Sequence, residues 1–90
     1  MKLVLDGEKI ATQEELHKQM QNTLEFPEWY GANLDALHDC LTELMQEVDI
    51  CVRHQAALKR NLGDYYAAKF LQALHDAANA NINIAVTIEE

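Results

Sequence analysis

The sequence predicts a two-layer α/β domain in which a three-stranded parallel β-sheet is packed with three to four helices. Short apolar runs recur at Lys2–Leu5, Val48–Val52 and Ile82–Ile88, the last two rich in β-branched residues. Between them lie longer stretches with apolar residues at helical spacing. Strands separated by helical crossovers favour parallel pairing with right-handed connections. Ninety residues make one domain over positions 1–90, able to bury on the order of 60–65% of its unfolded surface around a single core.

The elements follow in order. Lys2-Leu3-Val4-Leu5 reads as a strand ended by Asp6-Gly7. That pair is also a hairpin signal, with Glu8-Lys9-Ile10 as a thin return strand. Thr12-Gln13-Glu14-Glu15 has the capping-box pattern, in which the Thr and Glu side chains satisfy two orphan amides reciprocally. The helix it opens buries Leu16, Met20 and Leu24 and ends near Pro27, which cannot continue it. Asn33 is an N-cap for a second helix, whose apolar face uses Leu34, Leu37, Leu41, Leu44 and Met45. Ala56–Leu58 starts a brief helix closed at Gly63, and Asp64 is expected to cap a long one. The buried face of that helix takes Ala67, Phe70, Leu71, Leu74 and Ala77, and Asn79–Asn81 end it. The alternating run Ile82–Ile88 closes the chain.

Charge is distributed unevenly. The chain carries 15 acidic and 7 basic residues, for a formal charge of −8. No Lys or Arg occurs from Gln19 to Val52, yet Glu25, Glu28, Asp35, Asp39, Glu43, Glu47 and Asp49 all do. An acidic balance argues against binding nucleic-acid phosphates or an anionic membrane surface. No apolar run is long enough to span a bilayer, and the N-terminus lacks the apolar core of a signal peptide. Cytoplasmic residence is therefore expected, with Cys40 and Cys51 as free, buried thiols.

The second helix holds the strongest functional signal. At about 100° per residue, Asp35, Asp39, Thr42 and Gln46 line the face opposite the leucines, with His38 on one flank and Glu43 on the other. Asp35 and Asp39 are a like-charge i, i+4 pair, costing a few tenths of a kcal/mol (~0.2–0.5). Such a face can simply be solvated, but without neighbouring lysines it has nothing to neutralise it. Trp29-Tyr30-Gly31 precedes the cap. At least one of its aromatics belongs in the core, leaving the other free to anchor an interface.

Enzyme signatures are missing. His17, His38, His54 and His75 form no H-x-x-x-H or H-E-x-x-H spacing, and the cysteines no C-x-x-C. The pattern offers no metal site and implies no cofactor. The dipeptide His38-Asp39 alone is too short to mark a metal-dependent phosphohydrolase. His54 and Glu89 fall near strand ends, where α/β enzymes place chemistry, but as scattered singles they read as surface residues.

From Pro27 to Leu37, Pro-Glu-Trp-Tyr-Gly-Ala-Asn-Leu-Asp-Ala-Leu, and at Asp39-Cys40-Leu41, the chain strongly resembles the barstar family of intracellular ribonuclease inhibitors. Gly7, Ile10, Leu16, His17, Leu24, Leu71-Gln72 and the closing strand extend the likeness over the whole chain without gaps. The resemblance implies a three-stranded parallel sheet, and so disfavours the hairpin. It implies inhibition by occlusion of a basic cleft, with Asp39 standing where a substrate phosphate would sit and Asp35 as a second carboxylate. Trp29 matches an aromatic that stacks on a catalytic histidine, Gly31 and Asn33 match contact positions, and Asp76 matches a further acid. The rim differs: His38 replaces a Trp of the type inhibitor, Glu43-Leu44 a Gly-Trp pair, and Trp29 a Tyr.

The partner-binding set expected from these readings is Trp29, Gly31, Asn33, Asp35, His38, Asp39, Thr42, Glu43 and Asp76. The expected partner is a basic, barnase-like extracellular ribonuclease or a ribonuclease toxin domain, met by a chain that is monomeric when free. A regulatory binding module on the same scaffold, with a basic partner that is not a nuclease, is the alternative.

Overall fold

The computed structural model describes residues Met1–Glu90 as β1 (Lys2–Asp6), a 3₁₀ turn (Gly7–Lys9), α1 (Gln13–Leu24), α2 (Leu34–Thr42), β2 (Val48–Arg53), α3 (Gln55–Leu62), α4 (Asp64–Ala80) and β3 (Ile84–Ile88). The sheet order is β1-β2-β3 and both pairings are parallel, with Leu3 opposite Ile50 and Val48 opposite Ile84. The expected α/β architecture is thus present, with four helices. Leu3, Leu5, Val48, Ile50, Val52 and Ile84 point into the core, where Leu16, Met20, Leu37, Leu41, Leu58, Phe70 and Leu74 meet them. Burying each large apolar side chain contributes about 1.5–3 kcal/mol. On the opposite face Lys2, Val4, Asp49, Arg53, Ala85 and Thr87 are exposed, so the sheet carries helices on one side only. No helix is long and apolar enough to cross a membrane.

The hairpin alternative, which the resemblance disfavours, does not form, and several local expectations are corrected. Asp6 accepts a hydrogen bond from the Glu8 amide at 3.0 Å and turns the chain into the 3₁₀ segment. Gly7 packs so tightly on α3 that a Cβ there would lie 2.2 Å from the His54 carbonyl oxygen. Thr12 caps α1 through the Glu15 amide at 3.1 Å, but the Glu15 carboxylate reaches back to the Ala11 amide rather than to Thr12. Asp64 is the first residue of α4, not its cap: Gly63, at φ +90°, makes the turn between α3 and α4. Leu71 is half-buried, and Ile82 lies outside β3 in solvent.

Helix α2 ends earlier than its periodicity suggests. It stops at Thr42, so Met45 is 90% exposed and Gln46 lies off the helix altogether. The cause is distant in sequence. Buried Asn81, at the end of α4, donates through Nδ2 to the carbonyls of Leu41 at 2.9 Å and Leu44 at 3.0 Å. These bonds satisfy C-terminal carbonyls that a longer helix would have used internally.

Candidate partner-binding face

The loop from Phe26 to Asn33 is built by two buried aromatics. Phe26 and Tyr30 pack with ring centroids 5.1 Å apart, and both are buried. The Tyr30 hydroxyl meets Nδ1 of His17 at 2.5 Å, and Tyr66 meets Nε2 of the same ring at 2.5 Å. Burial holds the His17 pKa below its ordinary value, so the ring is neutral and donates at one nitrogen while accepting at the other. Burial likewise raises both tyrosines. With Tyr30 plugged into the core, its neighbour Trp29 is left 77% exposed. One aromatic in and one out resolves the pair.

The turn is completed by residues whose side chains are already engaged. Tyr30 N donates to the Pro27 carbonyl at 2.9 Å, and the same carbonyl accepts from Gln21 Nε2. The left-handed residue is Ala32 at φ +51°, not Gly31. A Cβ at Gly31 would instead come 3.0 Å from Asn33 Nδ2. Asn33 caps α2, accepting from the Ala36 amide at 2.8 Å through Oδ1 and donating to the Gly31 carbonyl through Nδ2. At the other end of the helix the Thr42 hydroxyl donates to the Asp39 carbonyl at 3.0 Å. Asn33 and Thr42 therefore use their side chains on the two ends of α2 itself.

The remaining residues border two shallow grooves flanking α2. Trp29, Gly31, Asp39 and Glu43 line one, with Cys40 and Ala36 at its floor. Asp35, His38 and Asp76 line the other, where α2 packs on α4. Gln72 holds Asp76 by donating to its carboxylate at 2.9 Å. Lys69 and Gln72 also border this second groove, though neither was in the expected partner-binding set. Their signal was available in the α4 spacing, seven and four residues before Asp76.

The electrostatics of the face decide what it can bind. No Lys or Arg lies within 4.0 Å of the carboxylates of Asp35, Asp39, Glu43 or Asp76. The one basic side chain within reach is His38, whose Nδ1 stands 3.9 Å from Asp39. The Asp39 side chain is 82% exposed. Below it the Cys40 thiol is pushed up by burial and by the Glu43 and Asp39 charges, which keeps it protonated and unreactive. The face thus offers carboxylates with no Lys or Arg partner and one exposed aromatic, but no activated thiol.

The family model described as "Barstar (barnase inhibitor)" matches residues 1–89. The chain belongs to the barstar family. A curated Bacillus subtilis (strain 168) protein, "Putative ribonuclease inhibitor YrdF", is 49% identical to it over 41 residues, covering 46% of this chain and 45% of that relative. The match thus spans less than half of the relative's length. Within this barstar-family fold the rim departures have distinct settings. His38 is half-buried in the α2–α4 groove, Glu43 is exposed, and Leu44 packs against the core beside Leu24 and Phe26.

Proposed function

We propose that this chain inhibits a basic ribonuclease by filling its active site with α2 and the loop before it, the Asp39 carboxylate taking the place of a substrate phosphate. The observation that carries this reading is the unpaired acidic face in a member of the barstar family. A ribonuclease must be cationic to hold RNA, so an array of carboxylates on one helix face competes for the same charges. Asp35 and Asp76 extend the array on one side of α2, and Trp29 and Glu43 on the other. Gly31, Asn33 and Thr42 set the loop and helix geometry, and His38 and Glu43 tune which enzyme is accepted through the rim. The partner is either a secreted ribonuclease of the host or a ribonuclease toxin domain, met in the cytoplasm by a free monomer.

The test couples capture to catalysis. Basic protein retained on the immobilised chain is assayed for RNA cleavage while free chain is added back. Stoichiometric loss of cleavage supports the reading, and Asp39→Ala must weaken it far more than Glu47→Ala. Equal losses would sink the phosphate-mimic role of Asp39. A captured basic partner that does not cleave RNA would replace this reading by the regulatory one.

A further inference from the structure

The parallel sheet brings His54 beside Asp6 and Glu8, two potential ligands from more than forty residues earlier in the chain. Asp6 ends β1, Glu8 sits in the 3₁₀ turn, and His54 follows β2 and precedes α3. Adjacent parallel strands bring Asp6 opposite Arg53, placing His54 one residue beyond the pair. His54 Nδ1 lies 2.8 Å from Asp6 Oδ1 and 3.4 Å from Glu8 Oε1, and the three donor atoms lie within 4.8 Å of one another. We propose that Asp6, Glu8 and His54 form a binding site for a divalent transition ion, zinc above all.

Three features support this. The spacings bracket the edge of a tetrahedron around an ion with bonds of about 2.0–2.2 Å, which is about 3.3–3.6 Å. Little movement separates this arrangement from a coordinating one. One imidazole and two carboxylates suit zinc and its neighbours better than magnesium or calcium, which favour oxygen-only shells. The scaffold is also fixed before any ion arrives. Gly7 packs on the His54 carbonyl, Asn61 donates to the carbonyls of Gly7 and Ile10 at 3.1 and 3.0 Å, and the Glu8 amide holds Asp6 Oδ1. That last bond orients a ligand from outside the coordination shell.

All three side chains keep some exposure, so the ion has a way in and solvent completes its shell. Coordination needs the Nδ1 lone pair, which places the imidazole proton on Nε2 and exchanges the Nδ1–H···Oδ1 bond for two metal bonds. The site lies at the carboxyl ends of adjacent parallel strands, where open α/β sheets place ligands. It shares no residue with the face proposed to meet a ribonuclease and stands independently of that reading.

Zinc chloride titrated against the full chain with a competing chelating dye tests the site. His54→Ala and Asp6→Asn should each weaken zinc binding at least about tenfold, while His75→Ala, an exposed histidine on α4, should leave it unchanged. Zinc binding that survives His54→Ala overturns the proposal, as does no binding by the wild-type chain at 0.1 mM (roughly the weakest useful affinity). A second measurement needs no variant. Substoichiometric Mn²⁺ should broaden the amide resonances of Asp6–Lys9 and Arg53–Gln55 first, and broadening centred on Asp35–Glu47 would overturn the site.

Discussion

His17 and Tyr30 form a buried hydrogen bond of 2.5 Å that ties the loop carrying Trp29 to the middle of α1. Through Nε2 the same imidazole also holds Tyr66 on α4. One neutral ring thus fixes an exposed aromatic by way of its buried neighbour. Tyr30→Phe leaves His17 Nδ1 without a partner and should cost about 1–3 kcal/mol. Trp29→Ala should change stability by no more than about 0.5 kcal/mol while weakening partner binding. Urea denaturation and titration calorimetry on the two variants separate these outcomes.

The same histidine predicts an acid limb in the stability curve. Burial lowers the His17 pKa below its ordinary 6.5, so the unfolded chain takes up the proton first. Stability is then whole above about pH 6.5 and falls as pH drops below it. Asp6, whose carboxyl is held low by hydrogen bonds from His54 and then the Glu8 amide, adds a loss of the same sign at more acidic pH, below about 4. Urea midpoints measured between pH 7.5 and 5 should decline in the wild type and flatten in His17→Gln.

The acidic face should trade stability for recognition at Asp39 but not at Asp35. Asp35 lies in the first turn of α2, where the helix N-terminus favours a negative charge. Asp39 sits a turn further on, faces the Asp35 charge and has no Lys or Arg partner. Asp39→Asn should raise stability by about 0.2–0.5 kcal/mol, whereas Asp35→Asn relieves the same repulsion but gives up about 0.3–1 kcal/mol at the helix terminus and should on balance lose stability. A gain of stability in both would contradict the helix-terminus argument.

What could be read from the sequence was local. The Thr12 and Asn33 caps act within a few residues, and each stands where its chemistry put it, while the Pro27 stop and the β-branched runs place their elements to within a few residues. The acids of α2 were legible for the same reason. What could not be read depends on contacts across the fold. Periodicity alone carries α2 through Met45, because nothing nearby in sequence reveals Asn81 waiting at Leu41 and Leu44. Nor does any local signal mark Ala32 as the residue that takes the left-handed turn before α2. Asp6, Glu8 and His54 match no ligand spacing because strand pairing, not sequence distance, brings them together.

Asn81 is where these distant contacts are most concentrated, and it supplies the sharpest stability test. Its Nδ2 donates to the Leu41 and Leu44 carbonyls, while its Oδ1 accepts from the Asn83 amide at 3.0 Å as the chain turns toward β3. Asn81→Ala strips partners from the end of α2 and should cost about 2–4 kcal/mol. Asn81→Asp is the more telling variant. It keeps the acceptor for Asn83 but sets a carboxylate oxygen against two carbonyl oxygens. Protonation of that carboxyl restores a donor, so the deficit of Asn81→Asp relative to wild type should shrink as pH falls toward 4. A deficit constant across pH 4–7 would mean that the lost donor is not what holds the end of α2.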